Sequence, residues 1–99
     1  MSAQRSSVTL RALRDAVPGS TSESPLANAG VRGIVRATAE AIAERVGVKL
    51  VALDDDDDSV TATLEAPQVV ALGFAAELRR LTEQWHRAKY GRGLWGEGS

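Results

Sequence analysis

Five consecutive aspartates, at positions 54–58, limit more than any other feature what this chain can fold into. Contiguous carboxylates repel one another and are costly to bury, so they belong at a solvent-facing connection between elements. Before them, residues 48–53 are apolar apart from Lys49. After them, Val60, Ala62 and Leu64 alternate with Thr61, Thr63 and Glu65. Two strand-length segments joined by a short acidic link form an antiparallel hairpin, and the charged tip discourages pairing with other edges.

Helical patterns flank the hairpin on both sides. Ser24-Pro25 reads as an N-cap followed by proline at the first helical position, and Gly47 as a stop. Between them Val31, Val35, Thr38, Ile42 and Val46 form one stripe, widened by Ile34, while Arg32, Arg36, Glu40 and Glu44 make a solvated face. Gly30, Gly33, Ala37 and Ala41 make a third, flat strip. Each glycine inside a helix costs roughly 1 kcal/mol relative to Ala. Either the helix begins after Gly33, then, or another backbone packs closely on the strip. Pro67 opens a second helix running to Tyr90, with Val70, Phe74, Leu78, Leu81 and Trp85 along its apolar face, and Gly91 ends it. Upstream, Leu10, Leu13 and Val17 at i, i+3 and i+7 predict a short amphipathic helix over residues 8–17, stopped by Pro18-Gly19 and followed by a polar spacer.

The expected fold is α+β. A helix, a two-stranded antiparallel hairpin and a helix make an α-β-β-α domain over residues 25–91. A flexible arm with a short N-terminal amphipathic helix occupies 1–24, and a Gly-rich tail carrying Leu94-Trp95 occupies 92–99. A chain of 99 residues holds one such domain. Its core is thin, because 16 of the apolar residues are Ala while Leu, Ile, Val and Phe total 23. That is just above the roughly 20% below which chains are usually disordered. The absence of cysteine excludes disulfides, thiol catalysis and thiolate zinc sites. Residues 1–7 lack the apolar core of a signal peptide and no stretch reaches membrane length, so a cytoplasmic location without membrane contact is expected.

The net charge of −1 conceals segregation: residues 34–66 carry eight acidic against three basic side chains, whereas both flanking thirds are mildly basic. That is not the uniformly basic footprint of a duplex-binding domain. The ten arginines against two lysines are scattered along the chain and mark no patch.

Few residues suggest chemistry. The aspartate run lacks the alternation, the glycine turn and the closing Glu of a calcium loop, and is expected to be a solvated turn holding no metal. Glu83, His86 and Tyr90 share one helical face, the beginning of a general base, but no nucleophile or elbow motif completes it. His86 is expected at a partly exposed surface position. No catalytic residue, metal or cofactor is expected. Gly30-Val31-Arg32-Gly33, followed by helix, strand, variable loop, strand and helix, resembles the order of a KH domain over residues 30–85, whose GxxG loop clamps a nucleic-acid backbone. The resemblance implies a single-stranded nucleic-acid partner, with Gly30, Val31, Arg32 and Gly33 as the clamp and Arg32 its cation. Two features depart from that pattern: the helix between Gly33 and Gly47 is about one turn too long, and no strand and helix are legible ahead of the glycines.

Leu94-Trp95 in a Gly-rich tail either folds back over a gap in the small core or docks on a partner, since Trp is enriched at interface hot spots. A lone hairpin is marginal, and two helices cover only one of its faces. Val51 and Leu53 are expected on the uncovered face. The function expected from these features is a non-enzymatic protein–protein interaction module, a self-associating small protein or an accessory subunit of a larger complex, with Leu94, Trp95, Val51 and Leu53 as contact residues. The alternative is the KH-like nucleic-acid binder.

Overall fold

The period-two alternation of Val8 and Leu10 with Ser7, Thr9 and Arg11 decides the start of the fold. In the computed structural model, which describes residues 4–12, 26, 29–56, 59–91 and 93–95, Ser6–Arg11 is a β-strand, β1, with a burial pattern that alternates along its length. The expected N-terminal helix is thus corrected over residues 8–11, while residues 13–17 lie outside the described part. The i, i+3 spacing from Leu10 competed with a strand pattern carried by β-branched side chains. The strand wins because it can pair with a neighbour and bury Val8 and Leu10.

The remaining elements are α1 (Ala29–Val46), β2 (Lys49–Asp55), β3 (Ser59–Glu65) and α2 (Gln68–Tyr90). They form an α+β fold in the order strand, helix, strand, strand, helix, so the expected two-stranded hairpin is one part of a three-stranded sheet. Its order is β1-β3-β2, antiparallel throughout. β3 is central, and its Val60, Ala62 and Leu64 are all buried. Asp54 and Asp55 extend β2 past its expected end. The carboxylate of Asp56 then accepts the Ser59 N–H at 2.7 Å, which closes the turn.

β2 carries a β-bulge. Leu50 stands opposite Leu64 and Ala52 opposite Thr63, which leaves Val51 as the extra residue. A bulge moves the side-chain alternation by one. As a result Leu50 and Leu53, three positions apart, both oppose core-facing residues and pack on the core. Leu53 therefore does not lie on the uncovered face, as was expected, and Val51 sits half-buried at the bulge. The far side of the sheet is instead polar: Ser7 and Thr63 share a hydroxyl hydrogen bond of 2.9 Å, and Thr9 and Thr61 one of 3.0 Å. Such a face can stand in water without cover.

Both helices lie on the other face, α1 against β2 and α2 against β1. α1 buries Val31, Val35, Ala39, Ile42 and Ala43, and leaves Ile34 and Val46 exposed. The helix begins ahead of both glycines, and Gly30, Gly33, Ala37 and Ala41 face solvent. Around Gly33 there is no atom within 4 Å of where a Cβ would be, so neither expected explanation of the flat strip holds there. In α2 the buried stripe is Ala71, Phe74, Leu78, Thr82 and His86, displaced from the expected one; Val70 is exposed and Leu81 and Trp85 are half-buried. What draws Thr82 inward is the C-terminal tail. Two exposed ion pairs share one carboxylate: Arg45–Glu77 at 3.1 Å joins the helices at the surface, and Arg80–Glu77 at 2.7 Å lies within α2. The two guanidinium groups, Arg80 before Arg45, hold the Glu77 carboxyl below its ordinary value.

Candidate functional site

α2 ends at Gly91, whose φ of 76° suits glycine and whose N–H caps Arg87 at 2.9 Å. The chain then reverses onto the helix it has just left. Leu94 and Trp95, 0% and 4% exposed, are core residues, so within this chain the tail docks in cis. Three polar groups fix it. The Leu94 and Trp95 N–H groups both donate to Glu83 Oε1, at 2.6 and 3.2 Å, and the Trp95 indole N–H donates to the buried Thr82 hydroxyl at 2.9 Å. That hydroxyl donates in turn to the Leu78 carbonyl at 2.5 Å. Burial pushes the Glu83 carboxyl up, but the Leu94 and Trp95 N–H groups and the Arg87 guanidinium outweigh it and hold the group below its ordinary value. Gly93 allows the approach, since a Cβ there would lie 3.1 Å from both Glu83 oxygens.

The docked tail also touches the sheet. Trp95 forms an isolated antiparallel bridge with Ala12, just past the end of β1. Among the described residues this is the only pairing on the outer edge of β1, since its other edge is taken by β3. Alongside residues 7–10, which pair with no other described residue on that edge, lies a groove of about 570 Å³, walled by Ser7, Val8, Thr9 and Leu10 on one side and by Gln68, Leu72, Ala75, Ala76, Arg79, Arg80 and Glu83 of α2 on the other. Successive residues of a strand point to opposite faces, yet four consecutive ones line the groove. Their common feature is the strand edge with its main-chain N–H and C=O groups.

The width of the elements explains the slot. A helix with its side chains is about 10 Å across, whereas a strand occupies about 4.8 Å of sheet. Because α2 packs on the edge strand β1, its outer flank overhangs that edge, and among the described residues no strand lies beneath it. One end of the overhang is filled by Trp95. The rest is the groove. Ser6, whose hydroxyl donates to the Ala66 carbonyl at 2.9 Å, marks the end where α2 begins, and the Glu83 clasp marks the other. From Ser6 to Ala12 a strand covers about 20 Å, and from Gln68 to Glu83 a helix covers about 22 Å, so the two elements run side by side in the same direction.

The other sequence candidates are placed apart from the slot. Gly30, Val31, Arg32 and Gly33 lie in the first turns of α1, a helical segment and not a loop, with Val31 fully buried. β1 does supply a strand ahead of the glycines, which the sequence did not show. Val51 and Leu53 belong to β2, on the opposite edge. His86 is 3% exposed, packed with Trp85 and Tyr90 at ring centroid distances of 6.2 and 4.6 Å, which corrects the expected surface position. Glu83 serves the tail. Among the described residues no three His, Cys, Asp or Glu side chains converge as a metal-holding group, and no helix is long and apolar enough to cross a membrane. Neither the β1 edge nor the Glu83 clasp was singled out from the sequence. The strand's alternation was a signal for the first, and Gly93 before Leu94-Trp95 a faint one for the second. Comparison with protein-family models gives no match, and comparison with curated proteins gives none either.

Proposed function

We propose that this chain is a non-enzymatic protein–protein interaction module, an accessory subunit that receives an extended segment of a partner protein as a fourth strand in the slot between β1 and α2. The observation that carries this reading is the lining of the slot: on one side a strand edge along which residues 7–10 pair with no other described residue, and on the other one face of a helix. Strand addition draws affinity from main-chain hydrogen bonds and specificity from pockets for alternate side chains. Leu72, Ala75 and Ala76 give those side chains an apolar, low-relief wall. The docked tail already pairs with the same edge at Ala12.

A second copy fits the slot less well than a separate segment. If β1 paired with β1 of another copy, both α2 helices would need the single overhang above the joint edge. The module is therefore expected to be monomeric without its partner. The reading is tested by selecting random linear peptides displayed with free and with fused ends, then mapping a selected peptide on the protein. The expected result is perturbation of amides 7–10 together with Leu72, Ala76 and Arg79, and at least about tenfold weaker binding to A76R, which places a long side chain in the slot from an exposed helix position. Self-association that A76R dissolves, or binding centred on residues 30–33, contradicts it.

A further inference from the structure

β2 forms the second edge of the sheet, and its composition is a hazard there. Leu50, Val51, Ala52 and Leu53 are apolar in succession, each only half-buried, and among the described residues no strand pairs with their outer side. An apolar edge strand is a template for pairing with another copy. Val51 and Leu53 are also the residues whose apolar character suggested association in the sequence.

The direction of the main-chain groups shows what stands against such pairing. The Asp56 N–H donates to the Ser59 carbonyl at 2.9 Å, so Asp56 turns its main-chain groups toward β3. In an antiparallel ladder these groups alternate from residue to residue between the two sides of a strand, and the register runs without a shift from Asp55 back to Ala52. Asp54 therefore faces β3, whereas Asp55 and Leu53 turn their N–H and C=O groups outward. Arg36 of α1 meets them at that edge: its Nη2 donates to the Leu53 carbonyl at 3.4 Å and to the Asp55 carboxylate at 3.3 Å. A strand arriving at Leu53 needs that same carbonyl oxygen for its own N–H, and finds a guanidinium group in front of it. The bulge at Val51 and the exposed charges of Lys49 and Asp54 to either side blunt the edge further.

We infer that Arg36 is an edge guard: held by Asp55, its guanidinium bars the β2 edge from antiparallel pairing about Leu53 with a second copy of this chain. The inference stands apart from the slot at β1 and holds whether or not that slot accepts a segment. Its consequence is a sheet closed to its own kind at β2, where an open edge would let copies join. Exposed ion pairs contribute little to stability, so the guard acts on association and hardly on folding.

The test compares the full chain with R36A and R36Q by sedimentation velocity and by amide spectra over a concentration series. R36Q keeps the position polar, so association in it does not come from a new apolar surface. The parent is expected to remain monomeric. Both variants are expected to keep the thermal transition of the parent and to self-associate at least about tenfold more tightly, with amides 51–55 shifting as concentration rises. A variant with a lowered transition is measured below it, where the same outcomes apply. Folded variants that are as monomeric as the parent overturn the inference. So does association that leaves amides 51–55 unmoved, or a parent chain that already pairs through them.

Discussion

Glu83 and Thr82 show how two adjacent residues decide where a tail goes. Replacing Thr82 by Val keeps the shape but leaves the buried Trp95 indole N–H without its acceptor, a loss of about 1–3 kcal/mol read by denaturant titration. Glu83→Gln removes a charged acceptor from two main-chain donors and is expected to loosen the tail by a similar amount. The same contact sets a pH dependence. The folded-state carboxyl titrates below its ordinary value of 4.5, so the tail's contribution is fully present above that value and is lost as pH falls through the lower, folded one. Trp95 emission in a W85F background should therefore shift to the red only below pH 4.5. A shift already complete at neutral pH would contradict the clasp. Gly33 and Gly73 make the opposite prediction. Both lie in helix interiors with nothing within 4 Å of an added Cβ, and Ala at either should stabilise by about 0.5–1 kcal/mol. Glu83 was legible as a helix residue and not as a clasp, because its partners are main-chain N–H groups, which carry no signature in the sequence.

At the scale of elements, α1, the hairpin and α2 were legible because their periods are long or clean. β1 was not, since Leu10, Leu13 and Val17 suggested a helix where Val8 and Leu10 alone settle a strand. A six-residue strand is decided by its neighbour, and β3 lies some 50 residues away in sequence. The inward turn of Leu53 was hidden for a different reason: the bulge at Val51 breaks the alternation on which any face assignment rests. Deleting Val51 leaves Leu50 and Leu53 two positions apart, so strict alternation keeps both on the core face, opposite Leu64 and Ala62. The expected outcome in equilibrium unfolding is a cost well below that of exposing a buried leucine, about 2 kcal/mol. A loss of that size would mean that the bulge, and not the register with β3, holds the two leucines inward. Leu10→Ala tests β1 directly: at 3% exposure it should cost about 2–5 kcal/mol. A small effect would mean that β1 is peripheral to the fold.

At the scale of the whole molecule, the thin core read from composition is answered by a third strand and by Leu94 and Trp95, and not by covering the far side of the sheet, which is hydroxyl-bearing and polar. That removes the apolar sheet face as the reason to associate, and the contact surface proposed above lies instead at the edge of β1. The slot was not legible in the sequence, because it arises from the mismatch between the width of α2 and that of the strand beneath it. The most direct test is backbone amide spectroscopy of the full chain titrated with a peptide selected against it. Strand addition predicts slowed exchange and large shifts along residues 7–10, with Leu72, Ala76 and Arg79 moving together and α1 silent. Shifts gathered on Thr61 and Thr63, or on Arg32 and Gly33, with residues 7–10 unmoved, would contradict it.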